Sequence, residues 1–317
     1  MTFTNTGGEL MTRFIIVRIL QAIVALIGIG VLVFFLVRAS GDPTHLIITP
    51  TSTEAEIAHL KEQLGLDKSY PEQFVIFASG LVKGDFGDSI IKRQPVIKMI
   101  KGALPNTIKL GLPAFIIAMM LALALGVLAA TRRDSIYDNG VKLIAILGQA
   151  LPGFWVALMA MLIFSVRLRL LPVAGMGTAA NYVLPVATMV FFMLPGMMRL
   201  VRSSMLDVFD AEYVKLARIK GLPEKKVIWK HALRNALIAP LTSAGMIFAS
   251  LITGAVITEI IFNWPGMGRL LVEAVQARDF PVVQSITLMV AAMVLSMNIL
   301  VDIAYAYVDP QIRYEKS

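Results

Sequence analysis

Residues with catalytic or metal-binding chemistry are few in this sequence, and they do not cluster. The chain contains no cysteine, which excludes thiol catalysis, disulfides and Cys-ligated metals. Its three histidines, His45, His59 and His231, do not show the spacing of a metal site. No GxxxxGK[ST] loop is present, so a Walker-type ATP site is not expected. We therefore predict a chain that is not an enzyme and that holds no metal or cofactor of its own.

A cation-rich stretch at residues 212–235 stands out from this background. It reads EYVKLARIKGLPEKKVIWKHALRN and contains seven Lys and Arg residues. Near the centre of a bilayer each cation would cost roughly 2.5–3.5 kcal/mol, so the stretch does not cross the membrane. Apolar residues recur at helical spacing up to Gly221, which suits a helix end with positive φ. Pro223-Glu224 is typical of the first turn of a second helix, and the pattern predicts a helix–Gly–helix elbow.

Two roles for this elbow are open from its residues alone. A basic amphipathic helix can rest on anionic lipid at the membrane surface. Alternatively, a rigid and partly apolar knob can dock into a groove on a soluble partner. The break at Gly221 favours docking, because a lipid-binding helix needs no break.

The remainder of the chain has the composition of an integral membrane protein. Of its 317 residues, 57% are hydrophobic and only 16% are charged, and the mean hydropathy is +0.75. A soluble domain would have about a quarter of its residues charged. Charge-free runs of about 20 residues predict an all-α fold with six transmembrane helices. The expected spans are residues 14–38, about 105–131, 141–166, 182–202, 235–259 and 281–307.

The basic residues of the loops predict the orientation of these helices. Residues 132–142 carry three Lys and Arg residues and residues 199–234 carry nine, so both regions are expected in the cytoplasm. Both termini, residues 1–13 and 308–317, then also lie there, and the elbow covers residues 206–234. These loops account for the net charge of +8, which therefore does not indicate a nucleic-acid partner.

The segment between the first two spans, residues 39–102, is expected on the extracytoplasmic side. Helical spacing predicts short amphipathic helices at Glu54–Leu64 and Pro71–Leu81, and the GDFGDS sequence at Gly84–Ser89 has the composition of a turn. The first apolar run is similar to a signal sequence. Its nineteen uncharged residues exceed the roughly 7–15 of a cleavable one, so we expect an uncleaved helix. Met11 is an alternative start.

Short motifs inside and outside the elbow occur in a fixed order. Those of the elbow are Tyr213-Val214, Ala217, Lys220-Gly221 and His231–Leu237 followed by Pro240. The others are Gly41-Asp42-Pro43, Gly84–Gly87, Leu151–Trp155, Leu171-Pro172, Asn263–Gly268, Ala277–Pro281 and Asp309–Tyr314. The elbow resembles the EAA loop of ABC-importer permeases, in the variant with YVxxAxxKG and HALRNALxP. The whole set resembles the dipeptide/oligopeptide/nickel permease family over nearly the full chain.

The resemblance implies half of a type I importer with a MetI-like permease fold. The ABC type-1 transmembrane core would occupy residues 103–307, with the first span and the extracytoplasmic segment as additions. A second, homologous permease would complete a heterodimer, and two ABC ATPase subunits would carry ATP and Mg²⁺. An extracytoplasmic binding protein would deliver the substrate. Such an assembly lies in the bacterial inner membrane.

The resemblance also implies that the elbow is a coupling helix seated in an ATPase cleft. The elbow residues expected to serve this contact are Tyr213, Ala217, Lys220, Gly221, Leu222, Pro223, His231, Leu233 and Arg234. Candidates for the pathway or its gate are Pro152, Phe154, Trp155, Trp264, Pro265 and Gly266. Trp264 is equally consistent with an anchor at the membrane interface.

Peptides, either di- or oligopeptides, are the substrates that the resemblance predicts. The alternatives within the same importer type are nickel chelates, glutathione or another small solute. An ion-coupled secondary transporter is the main rival, but it would need ionisable residues near the membrane midplane. The predicted spans are nearly devoid of them, since Glu259 and Asp302 lie near helix ends.

Overall fold

The chain folds almost entirely into helices. The structure, a computed structural model, describes residues 6–39, 41, 53, 55–56, 62 and 65–308. In chain order its helices are α1 (Thr6–Ala39), α2 (Tyr70–Val82), α3 (Val96–Thr131), α4 (Ile136–Ala150), α5 (Gly153–Ala160), α6 (Ala180–Phe209), α7 (Glu212–Ile219), α8 (Glu224–Lys226), α9 (Leu233–Ala236), α10 (Ile238–Ala249), α11 (Leu251–Gly254), α12 (Val256–Ile261), α13 (Met267–Gln276) and α14 (Phe280–Val308). π-Helical segments extend α5 over Met161–Arg167 and join α8 to α9 over Val227–Ala232.

The all-α prediction is confirmed for the residues that the structure describes. They contain no β-structure beyond one bridge between Asp88 and Pro95. The predicted helix at Glu54–Leu64 lies mostly outside the described residues, as do the ends of both predicted termini.

Four helices, found within α1, α3, α6 and α14, are long and apolar enough to cross a membrane. Two further crossings require helix pairs that are bent. Helix α4 and the extended α5 meet at 102°, and the pair made of residues 224–236 and α10 is bent by 53°. The predicted count of six spans therefore holds if each bent pair is a single crossing.

The sharp bend between α4 and α5 follows from two adjacent residues. Pro152 precedes α5 and has no backbone N–H to donate, so α4 does not continue through it. Gly153 lies against the ring of Phe192 on α6, where an added Cβ would fall 1.3 Å from a ring carbon. Only glycine allows this approach, and the second half of the span is thereby held at an angle to the first.

Helices α3 and α6 make the most extensive contact between helices in the bundle. Small residues bring their backbones together: a Cβ on Gly126 of α3 would lie 2.7 Å from the side chain of Val201 on α6. Towards the end of α6, Val201 and Met205 pack with Val141 of α4 and with Val214 of α7 in one buried core. We call this end of the bundle the elbow end and the opposite end the far end.

Helix α1 packs along α14, and an ion pair between Arg18 and Asp302, 3.1 Å long, joins the two. Near the other end of α1, the ring of Phe34 is fully buried against Phe74 of α2, with ring centroids 5.2 Å apart. Helix α1 thus holds α2 against the bundle. The sequence predicted a helix at Pro71–Leu81, and α2 extends it by one residue at each end.

Candidate functional site

The elbow predicted from the charge pattern is present between α6 and α10. Helix α7 ends at a turn in which Gly221 has φ +73. The N–H of Gly221 donates to the carbonyl of Arg218 at 2.9 Å, and that of Leu222 donates to Ala217 at 3.3 Å, which closes the helix end. A Cβ on Gly221 would meet nothing within 4 Å. Glycine is therefore favoured here by the left-handed backbone and not by a lack of space.

An ion pair spans the turn and fixes the angle between its two arms. The guanidinium of Arg218 on α7 donates to both carboxylate oxygens of Glu224 on α8, at 2.8 Å and 3.3 Å. Both side chains are exposed, so the pair contributes only about 0–1 kcal/mol. Its geometric effect is to join the arms across Gly221.

One face of the elbow is buried against the bundle. Its side chains pack with the ends of α3, α4 and α6 in the core at the elbow end. The buried elbow residues are Val214, Ala217, Val227, Ala232 and Leu233, and Ala236 at the end of α9 is buried beside them. This apolar anchoring makes the elbow a rigid extension of the transmembrane helices, because a shift of α7 must displace packed side chains on α6.

The opposite face of the elbow presents large apolar side chains between its cations. Ile219 is 80% exposed, and Leu216 and Trp229 are each 53% exposed. Leu216 and Ile219 lie outside every candidate span, whereas Trp229 belongs to the bent pair that begins at Glu224. Contiguous exposed apolar residues rimmed by polar ones are typical of a protein-binding surface.

The structure divides the predicted coupling residues into two groups. Ala217 and Leu233 are buried and anchor the elbow, while Leu222 and His231 are partly buried. The exposed members are Tyr213, Lys220, Gly221, Pro223 and Arg234. Sequence reasoning missed Leu216, Ile219 and Trp229, although the spacing of Leu216 and Ile219, three residues apart on α7, was an available signal.

A buried carboxylate at the elbow end joins α4 to α6. Asp138 is fully buried. The guanidinium of Arg202 donates to both of its oxygens, the Nη2–Oδ2 distance being 2.9 Å, and Lys142 Nζ lies 2.9 Å from Oδ2. The backbone N–H of Asp134 donates to it as well, at 3.0 Å. Sequence analysis did not identify this cluster.

A second buried carboxylate lies at the far end and contacts no cation among the described residues. Glu259 accepts from the hydroxyl of Thr107 at 2.6 Å and from the backbone N–H of Arg269 at 3.0 Å. The same hydroxyl accepts from the N–H of Met267 at 2.8 Å. Glu259 and Thr107 together therefore satisfy free amides at the start of α13, where the helix dipole favours negative charge. Gly266 leaves room for the carboxylate, since its Cβ would lie 2.2 Å from Glu259 Oε1.

Trp264 is fully buried beside this cluster. Its Nε1–H donates to the carbonyl of Asn106 at 2.9 Å, and its ring meets Tyr182 edge-on at 4.6 Å. The amide of Asn106 in turn donates to the carbonyl of Pro265 at 3.0 Å. These contacts fasten the loop before α13 onto α3. A ring so enclosed is not exposed to lipid, so the alternative of an interfacial anchor is not supported.

The six residues predicted for a pathway or gate fall into two separate places. Trp264, Pro265 and Gly266 gather with Glu259 at the far end. The others lie at the break between α4 and α5, and they are Pro152, Phe154 and Trp155, all exposed. Each group was predicted from its own short motif, and the sequence does not show how far apart the two motifs lie in the fold.

Asp279 ties the extracytoplasmic segment predicted from sequence to the start of α14. This buried carboxylate accepts from the hydroxyl of Ser89 at 2.5 Å and from the N–H of Ile90 at 3.1 Å. Ser285 donates to the carbonyl of Phe86 at 2.9 Å. Two of the sequence motifs, Gly84–Gly87 and Ala277–Pro281, also meet in space, since a Cβ on Gly87 would lie 3.6 Å from the side chain of Pro281. Within the part of the chain that the structure describes, no three His, Asp or Glu side chains converge as metal ligands.

A groove of about 570 Å³ lies between α6 and the broken helices α10 to α12. All of the residues that line it are uncharged. They include methionines of α6 and hydroxyl-bearing residues from α10 to α12, namely Met189, Met193, Met197, Ser243, Ser250 and Thr253. We call it the α6–α10 groove. None of the six predicted pathway or gate residues lines it.

Comparison with known sequences gives two matches that together cover most of the chain. Residues 122–314 match the family described as binding-protein-dependent transport system inner membrane component. Residues 11–111 match the N-terminal family of membrane components of such transport systems.

Several curated proteins are similar over their whole length. A putative peptide transport system permease protein of Brucella melitensis is 39% identical, and the oligopeptide transport system permease protein AppB of Bacillus subtilis is 37% identical. The glutathione transport system permease protein GsiC of Salmonella choleraesuis is also 37% identical. In each case the match covers 96% of this chain and all of the relative.

A solved structure shares the fold. The crystal structure of an amino acid ABC transporter with histidines superposes with a TM-score of 0.55, covering 67% of this chain and 94% of that chain. The sequence identity is 15%, so this likeness concerns the arrangement of helices alone.

Proposed function

Because the chain belongs to the family of binding-protein-dependent transport system inner membrane components, we propose that it translocates peptides delivered by an extracytoplasmic binding protein. The protein is a multi-pass inner membrane protein and a permease component of an ABC transporter. Relatives named as peptide permeases support a peptide substrate. The relative named as a glutathione permease supports glutathione, itself a small peptide, as the second candidate.

We further propose that the elbow is the coupling element and that an ABC ATPase subunit binds it in the cytoplasm. The observation that carries this proposal is the two-faced burial of the elbow. Val214 and Val227 anchor it in the bundle, while Ile219 projects into solvent at its tip. The resulting surface is apolar, cationic at its edges and rigidly joined to α6. Two ATPase subunits and a second permease, forming a heterodimer with this chain, would complete the assembly.

The packing of the elbow supplies a route for mechanical coupling. Motion of an ATPase subunit would displace α7, and the shared core would pass this displacement to α6. Because α6 forms one wall of the α6–α10 groove, its movement would change the width of that groove. Rigid-body shifts of packed helices of this kind underlie alternating access.

The α6–α10 groove has properties suited to peptides of varied sequence. Because no charged residue lines the groove, peptides are not selected by the charge of their side chains. The thioethers of Met189, Met193 and Met197 are flexible and polarizable, so they adapt to different apolar groups. The hydroxyls of Ser250 and Thr253 can pair with peptide N–H and C=O groups. Its volume falls within the roughly 300–1,000 Å³ of small-molecule sites.

Substitution of Gly221 tests the coupling role. A Gly221→Val variant places a β-branched residue at φ +73, which L residues rarely adopt, and should misalign the two arms of the elbow. We expect normal membrane insertion with loss of peptide uptake and of substrate-stimulated ATP hydrolysis in reconstituted vesicles. Gly140→Val is the matched control, because Gly140 also has open space around it but an ordinary helical φ.

Two outcomes would contradict the proposal. Normal uptake by Gly221→Val would exclude a role for the elbow geometry. Uptake by wild-type protein without any ATPase partner, abolished by an ionophore, would instead indicate an ion-coupled transporter.

Competition of labelled dipeptide uptake by glutathione would distinguish the two candidate substrates.

A further inference from the structure

A second groove, at the elbow end between α4 and α6, has a lining that the transport mechanism does not use. It has a volume of about 280 Å³. Its polar lining consists of Lys142 and Gln149 on α4 and of Arg199 and Arg202 on α6. We call it the cationic groove.

The cations of the cationic groove outnumber the carboxylates that contact them. Three cations line it, and two carboxylates contact this group in the described structure: the buried Asp138 and the exposed Asp134, whose Oδ1 lies 3.7 Å from Lys142 Nζ. Arg202 and Lys142 both pair with Asp138, whereas Arg199 is exposed and its Nη1 donates to the neutral side-chain amide of Gln149 at 3.3 Å. The groove therefore has an excess positive charge, and the Arg199 guanidinium faces no carboxylate among the described residues.

The floor and wall of the same groove are apolar. Val141 and Ala145 form a buried floor, and Ile146 beside them is exposed. Leu143 and Leu147, on the neighbouring surface of α4, are also exposed, as expected for a helix that faces hydrocarbon. This surface suits an anion that carries a long apolar group next to its charge.

The cations of the groove lie about two to three helical turns from the ends of α4 and α6. Lys142 lies seven residues after the N-cap Ser135, and Arg202 lies eight residues before the C-cap Asp210. At 1.5 Å per residue both are about 10–12 Å from the ends of their helices, and Arg199, eleven residues before Asp210, is about 16 Å from the end of α6. Lys and Arg at this depth extend towards the interface, and basic pockets between transmembrane helices there bind anionic headgroups.

We propose that the cationic groove binds an anionic phospholipid, with the phosphate on Arg199 and Lys142 and an acyl chain along Ile146. The lipid adds a negative charge to those of Asp138 and Asp134 and bridges α4 to α6. It thereby braces the helix that leads into the elbow. This assignment does not depend on the identity of the transported substrate.

Lipid retention in native mass spectrometry tests this site. The transporter is released from nanodiscs of phosphatidylcholine that contain phosphatidylglycerol, and the lipid that stays bound is identified. We expect wild-type protein to retain phosphatidylglycerol in preference to phosphatidylcholine. Removal of two cations in Arg199→Gln/Lys142→Gln should lower that retention on the order of tenfold or more, since each cation near an anionic surface contributes about 1 kcal/mol. Arg199→Gln alone leaves the ion pairs of Asp138 intact and should lower the retention of phosphatidylglycerol by an intermediate amount.

The control variant and the competing ligands make each outcome decisive. Arg133→Gln removes an exposed cation at the same end outside the groove and should retain lipid as wild type does. Equal losses in Arg133→Gln and Arg199→Gln would mean diffuse surface attraction and would overturn the proposal. Displacement of the bound lipid by inorganic phosphate would identify a small-anion site instead. Unchanged lipid retention with weakened ATPase binding in Arg199→Gln would assign the groove to the partner subunit.

Discussion

The two ends of the bundle stabilise a buried carboxylate by different means. At the elbow end, Asp138 is held by the side chains of Arg202 and Lys142. At the far end, Glu259 is held by the hydroxyl of Thr107 and by the backbone N–H of Arg269 at the start of α13. Both carboxylates are fully buried, so each must be compensated.

This difference in partners indicates that the two ends respond differently when the helices move. The partners of Asp138 are long side chains on two helices, and one of those helices continues into the elbow. Such side chains can follow a relative movement of α4 and α6. The partners of Glu259 are a short side chain and a backbone N–H, which fix the position of α13 on α3. We infer that the elbow end accommodates motion and that the far end keeps its loop in place.

The largest expected effect comes from removing the cation that Asp138 shares with α6. Arg202→Leu leaves a buried carboxylate with Lys142 as its remaining charged partner, which should destabilise the protein by about 3–5 kcal/mol. Thermal unfolding in detergent should show a clearly lower midpoint. The double variant Asp138→Leu/Arg202→Leu should recover much of this loss, because no unpaired charge remains. A loss in the double variant equal to the sum of the two single losses would contradict the pairing.

A smaller effect is expected at Glu259, where no cation is left unpaired. Glu259→Gln preserves the shape but turns an amide NH₂ towards donors such as the N–H of Arg269 and the hydroxyl of Thr107. We expect a loss of about 1–3 kcal/mol, measured by the same unfolding assay. Faster proteolysis of residues 262–266 should accompany it. A loss as large as that of Arg202→Leu would remove the distinction between the two ends.

The smallest effect is expected from Thr107→Val, which removes one hydroxyl from the far-end cluster. The expected loss is about 1 kcal/mol, at the low end of the cost of leaving buried groups unsatisfied, because Glu259 keeps the backbone N–H of Arg269 as a donor. Because Thr107 and Glu259 contact each other, their double variant should depart from additivity. Strict additivity in a double-mutant cycle would indicate that the 2.6 Å contact contributes no coupling.

The apolar runs of the sequence were sufficient to predict α1, α3, α6 and α14, because a helix that crosses a bilayer must be about 20 residues long and nearly free of charge. The elbow was also predictable, since cations cannot enter hydrocarbon and Gly221 marks the turn. The bend of 102° between α4 and α5 was not predictable, because it depends on the contact of Gly153 with Phe192 on another helix.

Both carboxylate clusters were likewise beyond the reach of a single sequence. Asp138 and Arg202 are 64 residues apart, and Thr107 and Glu259 are 152 apart. The sequence shows a charged residue near the end of a span but not its partner. Glu259 was noticed as an ionisable residue at a helix end, and its role in capping α13 required the fold.

Docking of the elbow on an ATPase subunit is tested most directly by cross-linking. The chain has no cysteine, so one introduced thiol is unique within it. Ile219→Cys places that thiol at the elbow tip, and Ile136→Cys is the control, 82% exposed at the same end but outside the elbow. In the assembled transporter, a short thiol–amine cross-linker should join Ile219→Cys to an ATPase subunit and leave Ile136→Cys unlinked. Equal linkage from both positions, or none from Ile219→Cys, would contradict the coupling role of the elbow.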